Sequence, residues 1–289
     1  MKISMTTLEL AEVFGHNKAI DIFADAGFDA VDFSFLRSNY STDSVPDSYF
    51  TELRKYTEDK GLVFNQAHAP FPSSYPEVKK TESAFVQITN SIRKASLLGI
   101  PHIVVHPCKH LEYDDDGIPE KLFETNMEFY KSLIPYCEEY GIKVALENMW
   151  HRTRGVSHST CSRPVEFVKY LKGLSSDCFV GCLDIGHTEL VKEKPDDFIR
   201  YMGNENLKCL HVHDVDGISD SHTLPFLGVI NWDKVMKALA EIDYKGDLTF
   251  EAGMFFMKKP PELLPAYAML LAETGKYLRA KFEYYRTNN

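Results

Sequence analysis

The chain has 289 residues, 44 % of them hydrophobic and 26 % charged, with a formal net charge of −10. A chain of this length buries a sizeable core without disulfide or metal staples, and its acidic balance disfavours bulk attraction to nucleic acid. No apolar run reaches the roughly 20 residues of a membrane span. Met1-Lys2-Ile3-Ser4-Met5 leads straight into an apolar segment without a signal-peptide pattern, so the cytoplasm is the expected location. The cysteines at 108, 137, 161, 178, 182 and 209 form no CxxC pair. That argues against a thiolate zinc ribbon and for reduced thiols packed in strands.

In chain order, short β-branched runs alternate with longer amphipathic stretches. Residues 2–6 read as the first strand and 17–26 as the first helix, stopped at Ala26-Gly27. Strand 30–35 precedes a helix at 48–60, strand 63–68 a helix at 78–98, and strand 102–106 a helical stretch at 120–140. These end at Lys60-Gly61, Leu98-Gly99 and Tyr140-Gly141, where glycine suits a left-handed helix cap. Strand 143–147 leads to a helix at 163–174, with Pro164 near its start, and strand 179–184 to one at 193–202. Strand 208–213 leads to a helix at 232–242 opened by Trp232-Asp233, and strand 247–251 to a last helix at 261–281. Eight strands alternating with eight helices predict a single-domain (β/α)₈ TIM barrel over 1–289. The rival, an open doubly wound sheet, lacks its nucleotide signature, because neither GxGxxG nor GxxxxGK[ST] follows the first strand.

The polar residues gather at the C-terminal ends of these strands. Strand three ends in Gln66-Ala67-His68, strand four in Val104-Val105-His106, and strand five in Leu146-Glu147-Asn148. Strand six ends in Leu183-Asp184-Ile185-Gly186-His187, strand seven in His211-Val212-His213-Asp214, and strand eight in Phe250-Glu251-Ala252. In a barrel these ends converge on one mouth, where active sites are built. Glu147 follows Val-Ala-Leu and Glu251 follows Leu-Thr-Phe. A carboxylate ending a buried strand must be paired or must bind a cation, and few lysines or arginines stand nearby. A divalent metal is the economical partner for Glu147, Asp184 and Glu251, with His211 adding a nitrogen. Such a mixed set suits Mn²⁺, Zn²⁺, Co²⁺ or Mg²⁺. Taken singly, a histidine at a strand end is an ordinary hydrogen-bonded residue and a glutamate in a strand lies on a solvated edge. Six successive strand ends carrying such groups form a pattern that single explanations do not cover. Asp220-Ser221-His222 follows strand seven and is placed to reach back over the mouth or to form a plain polar turn. Trp150 is read either as a wall against a sugar ring or as rim packing. His16, His102, His110, His151 and His158 receive no role.

On these residues the sequence resembles the xylose isomerase-like barrel superfamily, from Lys2 to about Glu273. That group contains sugar and sugar-phosphate isomerases and epimerases, and endonuclease IV, which cuts DNA at abasic sites. The resemblance to the epimerase branch implies one divalent ion held by Glu147, Asp184, His211 and Glu251. It implies a metal-stabilised enediolate, proton exchange by Glu147 and Glu251, and a substrate contact from His187. Partial burial is expected to raise a carboxylate's pKa towards neutrality for that task. The H-x-x-D pattern favours His211 as ligand, while the frame from His213 to Asp216 keeps His213 as the alternative. The endonuclease IV branch uses three zinc ions, and its extra ligand positions are matched by His68, His106, His187, Asp220 and His222. The sequence departs from that branch where H-x-N-D-S-K reads His211-Val-His-Asp-Val-Asp and Gly-Glu-Gly reads Phe226-Leu227-Gly228. It also lacks a basic, aromatic-laced loop suited to a bent duplex. The expected function is therefore a metal-dependent isomerase or epimerase of a small carbohydrate, with homo-oligomers expected by family analogy. The alternatives are an endonuclease IV-like phosphodiesterase and a non-catalytic sugar-binding barrel.

Overall fold

The structure is a computed structural model that describes residues 1–36, 39–108, 120–151 and 158–288. His110 lies outside the described residues. Eight strands, β1 (Ile3–Thr6), β2 (Ala30–Ser34), β3 (Val63–His68), β4 (His102–Val104), β5 (Lys143–Glu147), β6 (Phe179–Asp184), β7 (Leu207–His211) and β8 (Leu248–Phe250), pair in parallel in the order β7-β6-β5-β4-β3-β2-β1-β8. The ring closes between its two ends through a parallel bridge of Val212 with Phe250. There the Val212 N–H donates to the Thr249 carbonyl at 2.8 Å and the Glu251 N–H donates to the Val212 carbonyl at 3.2 Å. The expected (β/α)₈ barrel is the observed fold.

Parallel strands covered on both faces read as near-continuous apolar runs, and β2 and β6, each carrying one aspartate, are buried along their whole length. The large hydrophobic core lies between strands and helices, while Val104, Ala145, Val180, Cys182 and Cys209 make a small separate core. At one end of the barrel Ser4 donates to Asn65, whose amide donates in turn to Asp247 and Thr249. Of the cysteines, Cys182 and Cys209 are strand residues, and all six are free. Among the described residues no helix is long and apolar enough to cross a membrane.

The helices differ from expectation where short-range signals conflict. Before α2 (His16–Ala26) stands an unforeseen α1 (Leu8–Phe14). After α3 (Asp47–Asp59) and α4 (Val78–Leu97), the stretch 120–140 splits into α5 (Glu120–Ser132) and α6 (Ile134–Tyr140). Pro135 sits in the first turn of α6, where its missing N–H cannot continue a helix from behind. The inward face of α5 and the joint after it is apolar, with Met127, Tyr130 and Leu133 buried and the Tyr130 hydroxyl donating to the Val105 carbonyl at 2.9 Å. α7 (Pro164–Leu174) is followed after β6 by the six-residue α8 (Ile185–Leu190), too short to show a period. Its N-cap is Asp184, whose carboxylate accepts from the His187 N–H. α9 (Pro195–Asn206), α10 (Trp232–Glu241) and α11 (Leu264–Thr287) complete the outer layer.

Candidate metal centre

The histidines and carboxylates expected as ligands at the strand ends, His68, His106, Glu147, Asp184, His187, His211, His213 and Glu251, meet at the same mouth. His68, Glu147, Asp184 and His211 are the last residues of their strands, and Glu251 follows β8 directly. His106 and His213 lie two residues beyond β4 and β7, because these strands stop earlier than the sequence suggests. His187 enters on α8, and Asp220 and His222 enter on the loop after β7.

Among the described residues five overlapping donor groups form: three sets, namely His68, His106 and Glu147; Glu147, Asp184, His211 and Glu251; and His187, Asp220 and His222, are cross-linked by His68, His211 and Glu251 and by His213, His222 and Glu251. Within each set the ligand atoms lie within 4.8 Å of one another. Glu147 belongs to two sets. Its Oε2 is 2.9 Å from His106 Nε2, and its Oε1 is 3.4 Å from His211 Nδ1. His211 Nδ1 is also 3.1 Å from Glu251 Oε2 and 3.9 Å from Asp184 Oδ2. His68 Nε2 faces His106 Nε2 at 2.8 Å. Asp220 Oδ2 is 2.9 Å from His222 Nε2 and 3.4 Å from His187 Nε2.

These atoms fit a bound cation better than they fit one another. Asp220 Oδ1, His106 Nδ1 and His211 Nε2 are buried without a hydrogen-bond partner, and Glu147 Oε2 and His211 Nδ1, though close to an imidazole and a carboxylate, make no well-aligned hydrogen bond. Each such atom costs about 1–3 kcal/mol when left unsatisfied. The third set shows the orientation that metal-binding imidazoles adopt. His187 Nδ1 lies 2.8 Å from the Asn148 carbonyl and His222 Nδ1 lies 2.7 Å from the Glu251 carbonyl. A carbonyl only accepts, so in both rings Nδ1 carries the proton and donates, and Nε2 is turned on Asp220. His213, which groups with His222 and Glu251, has Nε2 at 2.9 and 3.0 Å from the two Asp184 oxygens and its ring stacked on His222 at 4.0 Å.

Burial pushes Glu147 and Glu251 upward, but the charges of His211, with His106 beside Glu147, outweigh it and hold both below the usual carboxylate range. This corrects the expectation that burial would raise them, because imidazoles surround each carboxylate. Burial likewise opposes charge on His187, yet Asp184 and Asp220 hold it well above 6.5. His222, also opposed by burial, rises to about 10 against Asp220 and Glu251. His68 has burial as its main influence and falls to about 3. Protons on imidazoles occupy the positions that cations would take, so a cation bound here would displace protons.

Above the donor sets opens a cavity of about 370 Å³ walled by Phe71, Met149, Trp150 and His151. The Trp150 indole N–H donates to Asp220 Oδ2 at 3.3 Å, which stands the ring beside the third set. Sequence reasoning missed several participants. Asn148 holds the Asp184 backbone through both amide atoms, at 2.7 and 2.9 Å. His151 lines the cavity, and Phe71 packs edge-on against His106 with ring centres 4.5 Å apart. Asp32, buried on β2 and bonded to Gln66, is pushed up to about 7 chiefly by burial. An Asp inside the run Ala-Val-Asp-Phe-Ser is the same signal that marked Glu147.

A family model described as xylose isomerase-like TIM barrel matches residues 20–266. The y4fM protein of Sinorhizobium fredii is 25 % identical over 268 residues, covering 83 % of this chain and 82 % of its own. A probable endonuclease 4 of Nitrosopumilus maritimus is 28 % identical over 163 residues, covering 52 % of this chain and 55 % of its own. Among solved structures, a D-tagatose 3-epimerase-like protein aligns with a TM-score of 0.71 at 24 % identity, over 94 % of this chain and 99 % of that one. A D-psicose 3-epimerase studied with D-fructose aligns at 0.74 and 15 % identity, over 98 % and 99 %. The structural likenesses agree with the barrel. On the family match across most of its length, this chain belongs to the xylose isomerase-like TIM barrel family.

Proposed function

We propose that the protein is a divalent-cation-dependent isomerase or epimerase of a sugar or sugar phosphate. One observation carries the reading: two ionised glutamates, Glu147 and Glu251, flank His211 beneath a cavity of about 370 Å³ with an indole wall. That volume lies within the usual range of small-ligand sites. Glu147, Asp184, His211 and Glu251 would hold the principal cation, of the Mn²⁺, Zn²⁺, Co²⁺ or Mg²⁺ kind. When bound, it supplies Lewis-acid polarisation of a substrate carbonyl and offsets negative charge developing there. Glu147 or Glu251 takes the proton α to that carbonyl at a carboxylate oxygen, and the other returns one on the opposite side. Trp150 presents a flat apolar face to the sugar, and Phe71 and Met149 narrow access for water. The epimerase structures that share the fold support this substrate class.

The third donor set favours a second reading. His187, Asp220 and His222 are oriented as ligands, and three cations suit phosphodiester hydrolysis of the endonuclease IV kind. The match to a probable endonuclease 4 points the same way. One experiment separates the two. Chelator-stripped protein is reloaded with Mn²⁺, Co²⁺, Zn²⁺ or Mg²⁺, its cation content is measured, and it is offered a panel of ketoses and ketose phosphates beside an abasic-site duplex. Cation-dependent conversion of a panel sugar is expected. Cleavage of the duplex without sugar conversion would move the assignment to the second reading, and a protein that takes up no cation would overturn both.

A further inference from the structure

The third donor set differs from the others in how it is held. Residues of the first two sets sit at strand ends or within two residues of one, whereas Asp220 and His222 hang on the loop 215–231. We propose that Asp214 is the positioning residue that assembles this third cation subsite, by clasping the loop from the end of β7; this rests on the cation-dependent reading above.

The Asp214 side chain is fully buried and binds no member of the three donor sets. Its Oδ1 accepts the N–H of Val215 at 3.0 Å and of Ile230 at 3.1 Å, joining the two ends of the loop. Its Oδ2 accepts the N–H of Phe226 at 2.9 Å and the indole N–H of Trp232, at the start of α10, at 2.8 Å. The backbone of Asp214 also exchanges hydrogen bonds with Thr223, at 2.9 and 3.0 Å, directly after His222. The loop needs such a hold, because His222 has φ of 34° and Phe226 has φ of 76°. Non-glycine residues keep such angles only where their surroundings over-determine them. Gly228 leaves the room: a Cβ there would lie 2.1 Å from the Val215 carbonyl oxygen and 2.2 Å from Asp214 Oδ1. A buried carboxylate satisfied by four donors is a rigid post, and here that post carries a ligand-bearing loop.

The test compares parent, Asp214→Asn and Gly228→Ala. The first keeps the shape and removes the charge; the second crowds the same clasp without removing a polar group. Each protein is stripped, equilibrated with zinc alone and assayed for zinc per chain, alongside circular-dichroism melting and chymotryptic cleavage near Phe226 and Leu227. The expected result is one zinc fewer than the parent at matched free zinc, that ion weakened roughly 10–100-fold as for other outer-shell losses. Folded melting should be retained and loop cleavage accelerated. Variants with the parent's full zinc complement and affinities would overturn the clasp while leaving the cation centre standing. Variants losing all zinc together with folded melting would make Asp214 a general structural residue and overturn its specific role. A parent holding at most one zinc would overturn the third subsite and the clasp, while one retained zinc would leave the proposed isomerase intact.

Discussion

Glu147→Gln is the most informative single substitution, because Glu147 bridges the group with His68 and His106 to the group with Asp184, His211 and Glu251. Glutamine keeps the volume of a side chain that is 1 % exposed, so packing is conserved. It removes the charge and offers an amide where Oε2 faces His106 Nε2 at 2.9 Å and Oε1 faces His211 Nδ1 at 3.4 Å. A cation present at about 100 times its Kd stabilises the fold by about 2.7 kcal/mol per site. Losing two such sites removes about 5 kcal/mol of cation-dependent stability. At roughly 2–4 °C per kcal/mol for domains approaching this size, the gap in Tm between parent and variant in saturating Mn²⁺ should be about 10–20 °C. In excess chelator that gap should shrink to a few degrees. Differential scanning calorimetry in the four combinations measures it. A parent whose Tm ignores cation and chelator alike, or a variant that keeps the parent's cation-induced rise, would refute the shared-ligand reasoning.

Glu251→Gln should abolish sugar conversion while cation remains detectable by elemental analysis; conversion at the parent rate would remove Glu251 from proton transfer. His16 supplies a pH prediction away from the mouth. It is buried against Phe33 and Tyr49, and burial lowers it from 6.5 to about 4. The unfolded chain therefore binds the extra proton, and His16 stabilises fully above pH 6.5 and progressively less as pH falls towards 4. His16→Gln should flatten the acid-side loss by up to about 1.4 kcal/mol per pH unit in that window; urea midpoints at pH 7 and 4.5 check this, and an unchanged slope refutes it. Gly275→Ala would place a Cβ 2.6 Å from Ile3 Cγ2 and 2.9 Å from Phe250 Cε2, between α11 and the barrel. Thermal melts should show a loss of about 1–3 kcal/mol with cation content unchanged; a neutral effect would mean that α11 moves to accommodate the methyl group.

Much of this molecule was legible before any coordinates. The alternation of short apolar runs with amphipathic stretches determined a barrel, because period and length are properties of neighbouring residues. Carboxylates and imidazoles at successive strand ends determined one polar mouth, since a parallel barrel points all those ends the same way. Tertiary structure alone decided how they are grouped. Barrel closure and strand stagger bring Glu147 within reach of His106 and His211 together, and no linear spacing encodes that meeting. The same holds for Asp214, an ordinary strand-end acid in sequence whose four partners lie up to 18 residues away. The acidity of Glu147 and Glu251 was misjudged for the same reason. Burial is readable from flanking Leu and Phe, whereas the compensating charge of His211 arrives from another strand.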